Sequence, residues 1–123
     1  MSLGRIEIIA GDFRKGKDSQ FVRGKFLMKK EGKFIRETIP ISELAKVEQA
    51  TEEAVVSIGG AAGWGLAGGV LLGPVGLLAG LLLGGRGKDS TFICMFKDGR
   101  KFLGTASTSV FNDLQKHLLS KSL

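Results

Sequence analysis

The chain has 123 residues and one cysteine, which leaves room for one modest core and excludes an intrachain disulfide framework. Its net charge of +6 comes with no tyrosine and no basic stripe interleaved with aromatics, so a specific nucleic-acid interface is not expected. The charge is spread: residues 1–53 carry 11 Lys/Arg against 9 Asp/Glu and residues 86–123 carry 7 against 3, a balance suited to weak attraction toward anionic lipid headgroups.

Arg5, Glu7 and Asp12 interrupt any apolar stretch near the start, so no secretory signal is expected. The expected location is the cytoplasm or the cytoplasmic face of a membrane. Residues 4–53 read as β-rich. Ile6 and Ile8 alternate with Glu7, and 11–17 form a polar loop. Phe21–Lys29 and Phe34–Ile41 read as two strands joined by Glu31-Gly32, with Pro40 breaking or edging the second. Ser42–Ile58 supports two readings. Leu44, Val47, Thr51, Ala54, Val55 and Ile58 follow helical spacing behind a Ser42 cap, whereas Ile39, Ile41, Ala45 and Val47 fit a sheet edge.

From Ala54 to Gly85 there are 32 residues without a charge, eleven of them glycine, and Ser57 is the only hydroxyl. Each glycine inside a helix costs about 1 kcal/mol relative to alanine, so an isolated soluble helix is not expected. Ser57, Ala61, Gly65, Gly69 and Gly73 recur every fourth residue, and Gly76, Gly80 and Gly84 repeat the spacing after Pro74. On a helix, such residues line one face and admit another backbone closely. Gly73-Pro74 then marks a bend, giving a helical hairpin with arms of roughly 28 Å and 18 Å. A hydrocarbon core is about 30 Å thick, so only the longer arm is long enough to span it. With both flanks in one sheet, a single span is excluded. A re-entrant hairpin or a hairpin buried between subunits remains.

Thr91–Lys97 and Arg100–Thr105 flank Asp98-Gly99, which predicts a hairpin with a type I′ turn. Ser107, Thr108 and Ser109 offer caps for a closing helix whose apolar face is Val110, Phe111, Leu114 and Leu118, with His117 on its flank. Cys94 sits in an apolar run and is expected to pack as a small hydrophobe.

Two glycine motifs fail. Gly63-Trp64-Gly65-Leu66-Ala67-Gly68 matches G-x-G-x-x-G but runs on into more glycine repeats and a Gly-Pro bend, in a chain short for a dinucleotide-binding fold. Gly87-Lys88-Asp89 places Asp where a P-loop needs Ser or Thr, and Leu82 where it needs glycine. No catalytic, metal or cofactor site is expected. Glu52-Glu53 reads as the acidic start of a helix.

Thr38–Glu48, the Gly59–Gly85 insertion, Phe92–Phe102 and the closing helix together resemble small bacterial proteins that carry a PH- or GRAM-like sheet with a glycine-zipper insertion. The likeness covers the chain from about residue 20 onward. It implies an interrupted PH-like barrel capped by a helix at 108–120, and it favours a strand over Leu44–Ala50. PH-like domains often bind phosphoinositides or peptides, but no basic phosphate cluster carries over.

The expectation is therefore one α+β domain over 1–123: a small antiparallel PH-like sheet (4–53 and 86–123) with a C-terminal helix and an inserted Gly-rich helical hairpin (54–85). Its expected function is non-catalytic self-association, membrane-associated, with a second copy of the chain as partner and an anionic membrane as a further one. The packing residues would be Ser57, Ala61, Gly65, Gly69, Gly73, Gly76, Gly80 and Gly84, with the bend at Gly73 and Pro74. The alternatives are a soluble homo-oligomer whose PH-like module binds a partner or ligand and, more remotely, a nucleotide binder.

Overall fold

The computed structural model describes residues 4–30, 35–59 and 89–122. Seven antiparallel strands form one sheet in the order β4-β3-β2-β1-β7-β6-β5. They are β1 (Arg5–Gly11), β2 (Gly16–Val22), β3 (Lys25–Lys29), β4 (Arg36–Pro40), β5 (Leu44–Gln49), β6 (Asp89–Phe96) and β7 (Lys101–Ser107). Among the described residues two α-helices join them, α1 (Glu52–Gly59) and α2 (Thr108–Ser122). The edge strands β4 and β5 are consecutive in the chain, separated only by a 3₁₀ turn at Ile41–Glu43. The sheet therefore curls until its two edges share a corner, as a half-barrel.

The expected class is corrected on this point. The described residues are dominated by a curled seven-stranded sheet, and their two helices pack on it rather than on each other as a hairpin. The expectation went wrong because α1 spends its apolar spacing, Val55 and Ile58, on the sheet. Beyond Gly59, the two zippered arms expected within 54–85 lie outside the described residues.

The strands of 4–49 also divide differently from the sequence reading. Phe21–Lys29 is not one strand. It breaks at Arg23 and Gly24, whose φ angles of 53° and 77° make the two-residue turn with positive φ that a type I′ hairpin needs. Val22 pairs with Lys25 across it. Arginine adopts this backbone at a cost of about 1 kcal/mol or more. Arg23→Asn is therefore expected to raise stability by about 0.5–1 kcal/mol, read as a higher urea midpoint at unchanged slope.

The Asp98-Gly99 turn is a hairpin but not of the expected type. Only Gly99 has positive φ, at 94°; its N–H donates to the Phe96 carbonyl and the Phe96 N–H donates to the Arg100 carbonyl. This is an ordinary turn closed by a glycine bulge, in which Asp98 stays right-handed and its carboxylate accepts from the Arg100 N–H. Ser42–Ile58 resolves into both of its readings in sequence: the 3₁₀ turn, β5, then α1. Glu31-Gly32 lies outside the described residues, although Lys29 pairs with Arg36 on either side of it.

Alternation sorts the side chains into two cores. Facing the inside of the curl, Ile6, Ile8, Phe13, Phe21, Phe26, Met28, Phe92, Phe96 and Phe102 pack beneath the expected face of α2, namely Val110, Phe111, Leu114 and Leu118. Phe26 of β3 meets Phe96 of β6 edge-to-face at 5.1 Å, a contact that crosses the hollow of the sheet. The register between β1 and β7 slips at Ile9, so parity inverts: Ile8 faces inward opposite Gly104, while Ala10 lies opposite Leu103 on the outer face. Ala10, Ile93, Leu103, Ala50 and Val55 form a second buried cluster there.

Candidate functional site

The charge-free run begins on α1, so the seating of that helix defines how the run is presented. Ala50 is buried and its N–H donates to the Thr91 carbonyl, which ties the end of β5 to β6. Thr51 then caps α1: its hydroxyl accepts from the Ala54 N–H at 3.0 Å. Glu52 and Glu53 follow in the first turn, the favourable place for negative charge on the helix dipole. Val55 is fully buried against Ile93 and Leu103, with Ala54 and Ile58 beside it.

The opposite side of α1 is turned outward. Val56 is 56% exposed and Ser57 is exposed too. Ser57, the first member of the four-residue repeat, is thus not consumed in packing α1 onto the sheet. Ala61, Gly65, Gly69, Gly73, Gly76, Gly80, Gly84 and Pro74 lie outside the described residues, so the structure does not bring them together with Ser57 or apart from it.

Topology fixes both ends of the run. Gln49 at the end of β5 pairs with Phe92, three residues after β6 begins at Asp89. The strand that leads into α1 and the strand that follows the run are thus neighbours in the sheet, with α1 packed on its outer face between them in the chain. Among the described residues no helix is long and apolar enough to cross a membrane.

Beside α1 lies a cleft of about 430 Å³ lined by Val47, Glu48, Thr51, Glu53, Ser57 and Gln115, so its walls come from β5, α1 and α2. A smaller groove of about 310 Å³ continues between Val47 and the α2 residues Gln115, Leu118 and Leu119. Both lie along the outer margin of the sheet.

Among the described residues the densest charged cluster is elsewhere, at the corner where the sheet closes. Arg100 donates through both terminal nitrogens to the two oxygens of Glu37 at 2.7 and 2.8 Å, and through Nε to Asp98 at 2.8 Å. Lys30 also reaches Glu37 at 3.1 Å, and the guanidinium lies 5.3 Å from the centre of the Phe13 ring. The forked hydrogen bond from Arg100 outweighs desolvation and holds the Glu37 carboxyl down to about 2. The backbone N–H of Arg100 lowers Asp98, and Glu37 in turn raises Arg100. These charges neutralise one another. The cluster works as a clasp between β4 and the β6–β7 turn, and sequence reasoning missed it.

Cys94 is fully buried in the inner core, and burial pushes its thiol well up, as a packed small hydrophobe requires. The Nε2 of His117 is buried without a hydrogen-bond partner among the described residues. No group of three His, Cys, Asp or Glu side chains suited to a metal ion occurs among those residues. Comparison of the chain with protein-family models, with curated proteins and with solved structures finds no match.

Proposed function

We propose that this protein is a non-catalytic self-associating module that uses the small-residue repeat of its charge-free run, 54–85, for close packing at a membrane surface. The observation that carries the proposal is the anchoring: α1 is pinned to the outer sheet face by Val55 and Ile58, Ser57 faces away, and the return strand β6 pairs with β5, the strand that leads into α1. Small residues at every fourth position favour close backbone approach between segments, whether in lipid or between subunits. The curled antiparallel sheet serves as the platform on which α1 is seated. The net charge of +6 supports contact with anionic headgroups.

The test combines light scattering of the intact chain, with and without detergent, and flotation on vesicles with and without anionic lipid. Assembly is expected, together with stronger flotation on anionic vesicles. Replacing Gly65, Gly69 and Gly73 with leucine should shrink the assembly by at least one oligomeric step while leaving the circular dichroism of the sheet intact. A chain that is monomeric in every condition and ignores vesicles would overturn the proposal.

A further inference from the structure

The two edges of the sheet differ in what they offer a neighbour. On β4, Glu37 is occupied by Arg100 and Lys30, and Pro40 ends the strand, which blunts that edge. Among the described residues β5 has no such protection: it pairs with β6 on one side and ends the sheet on the other. Because the Ala50 N–H donates to Thr91 and Glu48 pairs with Ile93, alternation turns the backbone groups of Ala50 and Glu48 toward β6. The N–H and C=O of Val47 and Gln49 therefore point to the open edge. That edge also forms one side of the two grooves described above, with Val47 on it and Leu119, 66% exposed, at the lip.

Extended segments of several chemistries pair with an open edge, but the side chains select one. Lys46 and Glu48 flank Val47 on the outer sheet face, 3.7 Å apart, Lys46 exposed and Glu48 partly so. Read in the antiparallel sense about Val47, the order Lys-Val-Glu is its own complement. A second β5 in that register sets Val47 against Val47 through the outward backbone groups, Lys46 against the other copy's Glu48, and Glu48 against its Lys46. Opposite charges directly across a strand pair stabilise it and like charges oppose it. A lone edge lysine would discourage pairing, whereas this pattern rewards pairing with itself.

We infer that two copies of this chain join antiparallel through β5, with Val47 on the two-fold axis, to continue the sheet from one copy into the next. The interface lies outside 54–85 and adds to the self-association proposed above without resting on it. The test uses the full chain in sedimentation or light scattering over a concentration series. Lys46→Glu places acidic pairs across the axis twice and should raise the dimer dissociation constant at least tenfold. The exchange Lys46→Glu with Glu48→Lys restores both pairs and should return it to within about threefold of the starting value.

A second measurement does not depend on affinity. In this register residue 46 of one copy lies opposite residue 48 of the other as a non-hydrogen-bonded pair, about 4.5 Å between Cα atoms, within disulfide reach. Mild oxidation should cross-link a mixture of Lys46→Cys and Glu48→Cys chains and neither alone; Cys94 is buried in both. The inference is overturned if Lys46→Glu leaves association unchanged, if the exchange fails to restore it, if cross-links form equally in the single variants, or if the chain never dimerises. Association that survives Lys46→Glu but is lost on leucine substitution at Gly65, Gly69 and Gly73 would remove the β5 seam and leave the glycine-run proposal standing.

Discussion

Phe26→Ala is expected to destabilise the fold by about 3–5 kcal/mol, the largest effect of any single substitution considered for this chain. Phe26 is fully buried, and its ring touches Phe21 at 4.8 Å, Phe96 at 5.1 Å and Phe102 at 6.4 Å between centroids. These partners come from β2, β6 and β7, so the ring spans the hollow between the two ends of the sheet. Truncation removes its transfer free energy and leaves a cavity lined by rigid aromatics on several strands, which close in poorly. A domain of this size is stable by about 5–15 kcal/mol in total, so the variant would lie near the threshold of unfolding. Urea titration followed by circular dichroism reads the loss directly. A change under about 1 kcal/mol would show that the curl is not held by this cluster. Ile35, at 83% exposed, is the comparison: Ile35→Ala should stay within about 0.5 kcal/mol of the starting protein.

Breaking the clasp is the second largest effect. Glu37 and Arg100 are about one-third and one-quarter exposed along their side chains, so their pairing is screened in part by solvent. Arg100→Met should cost roughly 1–2 kcal/mol near neutral pH, more than an exposed pair but less than a buried one. The pH dependence has a definite sign. The Glu37 carboxyl ionises near 2 in the fold against 4.5 without its partners, so the unfolded chain binds the proton more readily. Its contribution is complete above about pH 4.5 and is lost as pH falls toward 2. Acid titration of the starting protein should show this decline, and Arg100→Met should flatten it. Arg100→Lys, which keeps the charge but loses the fork, should recover only part of the stability. An acid limb identical in all three would rule out the clasp as its source.

What the sequence revealed follows from how local each cause is. Ile6, Ile8 and the face Val110, Phe111, Leu114 and Leu118 were legible because each pattern lies within one element and needs only its own period. Asp98-Gly99 announced a hairpin, but the turn type depends on which residue takes positive φ, and only Gly99 does. Arg23-Gly24 carried no comparable sign, since arginine is a poor left-handed residue and the pairing of β2 with β3 imposes the turn. The slip at Ile9 is marked only on the opposite strand, by Gly104, and is visible only once Leu103 and Gly104 are known to be opposite. Nor does any period join Glu37 to Arg100, 63 residues apart. Lys46-Val47-Glu48 was in plain view throughout, but a self-complementary triplet means nothing until its strand is known to be an edge.

The pairing of β1 with β7 has a consequence for how the chain reaches this state. Glu7 lies opposite Thr105, and this ladder alone joins the meander β1–β4 to the strands β5–β7 side by side in the sheet. Contacts so distant in sequence close slowly, because a long loop must be ordered before they contribute. On the ribosome, at about 5–20 residues per second, β1 emerges on the order of ten seconds before β7. Through most of that interval Ile6, Ile8 and Phe26 lack the strands that cover them. The newly made chain therefore passes through a window of exposure that the finished protein does not have, and prompt chaperone cover should decide how much of it survives synthesis.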